Sequence, residues 1–287
     1  MKRALAAATL GVVFGLAGCA TQHVAPLPSY ESIGPSTPTG PRVATPTRVE
    51  SEPGRWKTVG TSVQGRSIQA WSRGNGSQRV MYLGCIHGDE YASRQLLEKL
   101  MQDIDRHPEM LAGKRVVVVP VANPDGYAMG SRTNGHGVDL NRNFPTTNYR
   151  GGLDHGMSGS SEPETRALCR LIREEQPDVI VTLHSPLECV DYDGPAMGLA
   201  NRMARRCGLP VKQLGARPGS LGSYAGLERR IATVTVELPA EKSGWAVSWE
   251  HMGPALLEAM KGGRAGGVLV ETPEVDGGAS WRGVRAK

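Results

Sequence analysis

No Cys-x-x-Cys pair, no basic stripe interleaved with aromatics and no internal repeat occurs in these 287 residues. The missing cysteine pair removes the usual thiolate metal sites. The missing basic stripe, with a net charge of only +5, argues against nucleic acid as a partner. The apolar run near the start, Ala4–Leu16, is too short to cross a membrane comfortably. Of the five cysteines, the four after Cys19 (Cys85, Cys169, Cys189 and Cys207) allow three full disulfide pairings, which the sequence leaves open. Cys85 falls in a predicted core strand, where a buried free thiol is the plain reading.

The N-terminus reads as a targeting segment. Lys2 and Arg3 precede the short apolar stretch, and Leu16-Ala17-Gly18-Cys19 resembles the lipobox of bacterial lipoproteins. That resemblance implies cleavage after residue 18 and acylation of Cys19. Ala20 lacks the acidic character of an inner-membrane retention signal, so the expected location is the periplasm, anchored to the outer membrane. An ordinary secretory leader with an incidental Cys19 is the other reading. Residues 19–55 are rich in Pro, Ser and Thr and read as an extended tether. Residues 56–263 are long enough for one domain with a sizeable core. Residues 264–287 are expected to be a mostly loose tail.

Within that domain strand-like and helix-like segments alternate. Thr58–Val63 and Ser67–Trp71 flank a turn at Gln64-Gly65-Arg66. Val80–Cys85 and Arg115–Val121 read as buried strands, and Tyr91–Ile104 carries apolar residues at helical spacing. Ser161 with Glu164 predicts a capping box for a helix over Glu162–Glu175. Val179–Leu183 is a further strand, and Leu199–Cys207 and Trp249–Lys261 are further helices, the last disturbed by Pro254. The alternation predicts an α/β fold: a mostly parallel, mixed, twisted sheet with helices on both faces, in a single domain. The long irregular stretch Met129–Ser160 is a candidate functional loop.

Polar residues sit where the apolar runs end. His87 and Glu90 follow Val80–Ile86, His184 closes Val179–Leu183, and Glu237 closes Ile231–Val236. Ligands in open α/β sheets bind at the carboxyl ends of strands. Two imidazoles and a carboxylate are the three ligands of a catalytic zinc site, and a second carboxylate can serve as its general base. His87, Glu90 and His184 are therefore the candidate ligands of one Zn2+, with Glu237 as the base. His23, His107, His136, His155 and His251 lack such a setting.

These residues lie in ordered motifs: His87-Gly88-Asp89-Glu90, Asn123-Pro124-Asp125-Gly126-Tyr127, Val138 through Pro145, Leu183-His184-Ser185 and Thr235-Val236-Glu237-Leu238. Over about residues 56–238 the chain resembles the zinc metallocarboxypeptidases related to carboxypeptidase A. Ser185-Pro186-Leu187, Asp193-Gly194-Pro195-Ala196 and residues 219–224 look most like their murein peptide amidase branch, which cleaves the γ-D-glutamyl–diaminopimelate bond of peptidoglycan peptides. The resemblance implies that Glu237 takes a proton from the attacking water and passes it to the leaving amine. It also implies that Arg132 polarises the scissile carbonyl. Asn141 and Arg142 would grip the substrate carboxylate, and Asp139 would orient His87. Ser185-Pro186 falls where the family has a cis peptide, and proline lowers the cost of that form. Tyr224 is the nearest candidate for the family's mobile tyrosine, although it lies closer to Glu237 than that tyrosine should, and a core or rim aromatic is the other reading. Diaminopimelate's extra amine and carboxylate imply a charged pocket, for which Asp191 and Asp193 (amine) and Arg217 (carboxylate) are candidates.

The expected partner is thus a peptidoglycan-derived peptide, with membrane attachment through Cys19, no nucleic acid and a monomeric state. A broader carboxypeptidase acting on peptide or protein C-termini is the close alternative. A deacylase of the same superfamily is disfavoured by the intact Asn141-Arg142 pair. A non-catalytic wall-binding lipoprotein is disfavoured by the presence of all three ligands and the base.

Overall fold

The computed structural model describes residues 54–240 and 247–261, together with the backbone of Gly263–Ala265 and Val268–Val270. The leader, Cys19 and all but the last two residues of the tether lie outside the described residues. Strand β1 (Arg55–Thr61) and β2 (Ser67–Arg73) form a hairpin. Its turn is closed by Ser62 N donating to Arg66 O at 2.8 Å, with Gly65 at φ 80°. There follow β3 (Gln78–Leu83), α1 (Tyr91–Arg106), β4 (Lys114–Val119), α2 (Pro124–Met129), α3 (Pro163–Glu175), β5 (Val179–His184), β6 (Cys189–Asp193), α4 (Met197–Cys207), β7 (Ala232–Glu237), α5 (Trp249–Glu258), and a small pair, β8 (Gly263–Ala265) and β9 (Val268–Val270).

Seven strands make one sheet in the order β1-β2-β4-β3-β5-β7-β6. The inner four (β4, β3, β5, β7) pair in parallel, and the outer pairings are antiparallel. The inner strands are valine-rich because both their faces are covered. Alternate residues feed two cores. Val80, Tyr82, Val116, Val118, Val181 and Val234 pack with α1, α4 and α5. Met81, Leu83, Val117, Val119 and Ile180 pack with α3 and with Leu140 and Phe144 of the long loop. Each fully buried aliphatic side chain contributes roughly 1.5–3 kcal/mol. The chain runs from β3 to β4 on one side and then crosses to β5 on the other. The crevice at the carboxyl ends of β3 and β5 is therefore the topological switch point of the sheet.

Several expectations need correction. The capping box at α3 does not form: the cap residue is Glu162, without a side-chain cap. Glu164 is instead fully buried and accepts from Val63 N at 3.0 Å and Asn134 Nδ2 at 3.1 Å, so tertiary partners have taken the carboxylate. Asn123-Pro124-Asp125-Gly126 opens the short helix α2 rather than a plain turn, with Asn123 Oδ1 accepting from Gly126 N. Strand β6 had no sequence signal strong enough to predict it. At the start of the tail, Gly263–Ala265 and Val268–Val270 pair antiparallel as β8 and β9; residues 271–287 lie outside the described residues. Pro254 sits inside α5, so Glu250 O there lacks its usual backbone donor. The four cysteines after Cys19 are buried and free. Burial pushes the Cys85 thiol up to about 12, the behaviour of an inert core thiol.

Candidate metal centre and active-site cavity

Three chain segments deliver the polar cluster. β3 runs out at Leu83, and the chain turns through His87–Glu90 into α1. Gly88 makes that turn possible: a Cβ there would lie 2.0 Å from Gly126 C, so the turn rests directly on the backbone of α2. Asn123 stitches the contact, with its Nδ2 reaching both Ile86 O and Arg132 O at 3.4 Å. β5 ends on His184 and β7 on Glu237, and the two residues are paired neighbours in the parallel ladder.

His87, Glu90 and His184 converge. His87 Nδ1 is 2.8 Å from Glu90 Oε1, His184 Nδ1 is 2.9 Å from Glu90 Oε2, and the two Nδ1 atoms are 3.0 Å apart. All three side chains are buried. On the far side of the ring, His87 Nε2 is 3.1 Å from Asp139 Oδ1. An ionised carboxylate only accepts, so that nitrogen carries the proton and Nδ1 turns a lone pair inward. Asp139 Oδ2 in turn accepts from Arg132 Nε at 3.1 Å and Nη2 at 2.9 Å. A tetrahedral ion with bonds of 2.0–2.2 Å needs donors ~3.3 Å apart. One donor atom from each of His87, Glu90 and His184 lies within 4.8 Å of the others, close enough for the three to share one cation.

The electrostatics agree. Burial alone would raise Glu90, but the His184 and His87 imidazoles outweigh it and hold the carboxyl down at about 2. Burial likewise opposes ionisation of Asp139, which His87, Arg132 and Arg142 nevertheless hold well below the usual carboxylate range. At His87 desolvation would depress the imidazole, yet Asp139 and Glu90 overcome it and raise it. The centre is thus built to stabilise positive charge.

Glu237 stands beside this cluster without joining it. Its Oε2 is buried with no hydrogen-bond partner, and burial, with the nearby Glu90 charge adding to it, lifts its carboxyl above the ordinary value. All these groups open on one cavity of ≈ 230 Å³. Asn141 and Arg142 line it. Asn141 Oδ1 accepts from Leu221 N at 2.9 Å, which leaves its Nδ2 facing His184 Nε2 at 3.4 Å. Arg142 Nη1 donates to Asn141 O at 2.6 Å. Burial, with Arg132 and Arg217 adding to it, makes the Arg142 charge harder to keep, and an incoming anion would relieve it. Ser185-Pro186, also in the wall, is cis as expected.

Tyr224 is the exception among the predicted site residues. It is fully buried, its ring tilted against Phe144 at 5.4 Å between centroids and capped by the Arg229 guanidinium at 3.4 Å. It sits in a wide helical turn over Gly222–Glu228 whose neighbours Leu221 and Ala225 belong to the same core as α3. A side chain locked there is a core residue and does not close over the cavity. Leu214, Gly215, Ala216 and Thr235 line the cavity and were not singled out, because small and apolar wall residues carry no chemical signal in sequence.

Comparison with known proteins fits this geometry. The chain is 34% identical over 219 residues to murein peptide amidase A of Escherichia coli strain K12, covering 68% of this chain and 87% of that protein. It is 30% identical over 175 residues to the human carboxypeptidase N catalytic chain, covering 47% and 38%. The structure of murein-tripeptide amidase from Escherichia coli O157 superposes with a TM-score of 0.59 at 29% identity, covering 71% of this chain and 91% of that one. Carboxypeptidase A of Helicoverpa armigera shares the fold, with a TM-score of 0.61 at 21% identity over 72% of this chain and 68% of that one. The zinc carboxypeptidase profile matches residues 47–193, a stretch that contains all three converging donors, and this chain belongs to that family of hydrolases.

Proposed function

We propose that the protein is a zinc-dependent amidase of peptidoglycan stem peptides that releases diaminopimelate from its bond to γ-D-glutamate. The observation that carries the reading is the buried convergence of His87, Glu90 and His184 beside Glu237, whose Oε2 has no partner, in a chain whose relatives include murein peptide amidase A. His87, Glu90 and His184 would hold one zinc ion. When bound, that ion polarises the scissile carbonyl and brings the pKa of water to about 7.

The remaining steps belong to the chain's own side chains. Glu237 accepts a proton from water as its oxygen adds to the carbonyl carbon, then delivers it to the nitrogen as the C–N bond breaks. Arg132, anchored to Asp139 yet half exposed to the cavity, faces the oxygen that gains charge. Asn141 and Arg142 take the free carboxylate of the leaving residue. Asp139 fixes the His87 tautomer.

We propose further that Cys19 is lipidated and that residues 19–55 tether the domain to the outer membrane, facing the periplasm, as a monomer. The lipobox-like residues 16–19 and the Pro/Ser/Thr-rich stretch support this. Loss of fatty-acid labelling in Cys19→Ala would be the expected result; unchanged labelling would end the idea. Product analysis of the soluble domain on defined muropeptides tests the main reading. Free diaminopimelate from murein tripeptide is expected. Release of C-terminal residues from ordinary peptides, with none from the tripeptide, would favour the broader carboxypeptidase.

A further inference from the structure

We propose that the outer face of α3 docks on an anionic lipid surface through its arginines. Arg166, Arg170 and Arg173 are all exposed, and their spacing along the helix sets them in one stripe. Arg229 widens it. Its guanidinium caps the Tyr224 ring, and Arg229 and Arg173 both act on the Cys169 thiol of α3, against the burial that raises it. None of the four has a carboxylate partner among the described residues. Arg166 Nη1 donates to Ser160 O at 2.9 Å, Arg170 Nη2 to Val59 O at 2.6 Å and Arg229 Nη1 to Tyr224 O at 2.9 Å, all neutral acceptors. Glu174 lies beside the stripe, and Glu228 is turned to Thr147, whose N and Oγ1 both donate to it.

Helix energetics do not account for the stripe. Like charges three and four residues apart oppose helix formation. The helix dipole favours a cation at Arg173, in the last turn, but not at Arg166, near the other end. The arrangement suits an external anion.

The chain enters the domain beside these arginines. A Cβ on Gly60 would fall 2.5 Å from Ala167 Cβ, Val59 O meets Arg170, and Lys57 acts on Glu175. Going back along β1 from Gly60 toward Arg55 therefore leads to the C-terminal end of α3. Residues 19–55 join the domain there, and the inference rests on reading them as the tether of a lipidated Cys19. A Pro/Ser/Thr-rich chain of that length spans roughly 30 Å. It would hold the domain over the bilayer at roughly millimolar effective concentration, where a weak face suffices. Phosphate headgroups are the matching chemistry for unpaired guanidiniums. Helix α3 carries no aromatic residue, so it offers no platform for stacked bases. The cavity opens at the carboxyl ends of β3 and β5, away from this flank.

Flotation of Cys19→Ala, the full chain without the thiol to be acylated, tests the face apart from the anchor. Its affinity is measured for vesicles of phosphatidylcholine alone and of phosphatidylcholine mixed with phosphatidylglycerol. At low salt a preference of at least about tenfold for the mixed vesicles is expected, lost at high salt. Adding Arg166→Gln, Arg170→Gln and Arg173→Gln together should abolish it, whereas Arg166→Lys, Arg170→Lys and Arg173→Lys should keep it, with melting curves confirming the fold of each. Equal affinity for the two vesicles overturns the proposal with no arginine variant needed. So does an undiminished preference in the folded glutamine variant. Binding to heparin that needs the arginines, without binding to mixed vesicles, would assign the stripe to a soluble polyanion and overturn it too. Failure of the tether reading is separable. Preference for mixed vesicles with no fatty acid on wild-type Cys19 keeps the face and removes the anchor. Acylated Cys19 with equal affinities does the reverse.

Discussion

Asp139 holds His87 from behind: its Oδ1 lies 3.1 Å from His87 Nε2, while its other oxygen is occupied by Arg132. One carboxylate thus fixes the imidazole that faces Glu90 and seats the guanidinium that faces the cavity, across a sequence gap of 52 residues. Removing it should be felt at both. Asp139→Ala is expected to weaken zinc binding by about 10–100-fold in competition with a chelating dye. Unchanged affinity would mean that His87 is oriented by something else.

Glu237 lies outside the converging donors. Glu237→Gln should retain zinc at wild-type stoichiometry and lose turnover by about 10²–10⁴-fold. His184→Ala should do the opposite first, losing zinc and, with it, thermal stability. Metal content by mass spectrometry alongside tripeptide hydrolysis separates the two. A Glu237→Gln enzyme that turns over normally removes the residue from the mechanism.

Burial lifts the Glu237 carboxyl above its ordinary 4.5. A base must be ionised to accept a proton, so kcat/KM should rise with pH through that lifted value. An acid limb is therefore expected, with zinc retention checked at each pH. A kcat/KM that stays flat as the pH falls, with zinc fully bound, would contradict the assignment.

Gly88 and Gly65 offer a contrast between crowding and strain. Gly88→Ala drives a Cβ into the backbone of Gly126. It should cost roughly 1–3 kcal/mol and weaken zinc binding, because the turn it belongs to carries both His87 and Glu90. Gly65 has φ 80° and open space around it. Gly65→Ala should cost about 1 kcal/mol and leave zinc affinity alone. Denaturant midpoints and zinc titration on both variants check the distinction.

Asp125 ties the β1–β2 turn to α2 through Ser62 Oγ at 2.7 Å, Gln64 N at 2.9 Å and Arg66 Nη1 at 2.6 Å. Burial would raise its carboxyl, but these donors outweigh it and hold it below the ordinary 3.8. A depressed folded value means that the stabilisation is complete above the unfolded value and fades as pH falls through the folded one. Asp125→Asn is expected to destabilise the protein by about 1–3 kcal/mol at pH 6, with the gap to wild type narrowing below pH 3.8. A gap that stays constant with pH would show that ionisation plays no part.

The sequence was most legible where a chemical residue ended an apolar run. Val80–Ile86, Val179–Leu183 and Ile231–Val236 read as buried strands because continuous burial on both faces permits little else. His87, Glu90, His184 and Glu237 were conspicuous because a polar group at such an end is costly unless it is used. Strand β6 was harder: Cys189-Val190-Asp191-Tyr192-Asp193 mixes acids with apolar residues and runs into Gly194-Pro195, which reads as a turn. The Ser161–Glu164 pattern was a valid local signal that lost to tertiary partners, since Val63 N and Asn134 compete for the same carboxylate. Tyr224 matched the family's mobile tyrosine poorly in spacing, and the chain alone does not say which face of a wide turn meets the core.

By itself, then, the sequence determined which side chains could do chemistry and which strands would carry them, since hydrophobic burial acts locally and leaves its period in the chain. Only the tertiary structure decided how they meet: the parallel register that sets His184 beside Glu237, and the second Asp139 oxygen that seats Arg132 behind His87. Those depend on strand register and on close backbone contact at Gly88. A shift of a single residue in register would turn the His184 or Glu237 side chain to the opposite face.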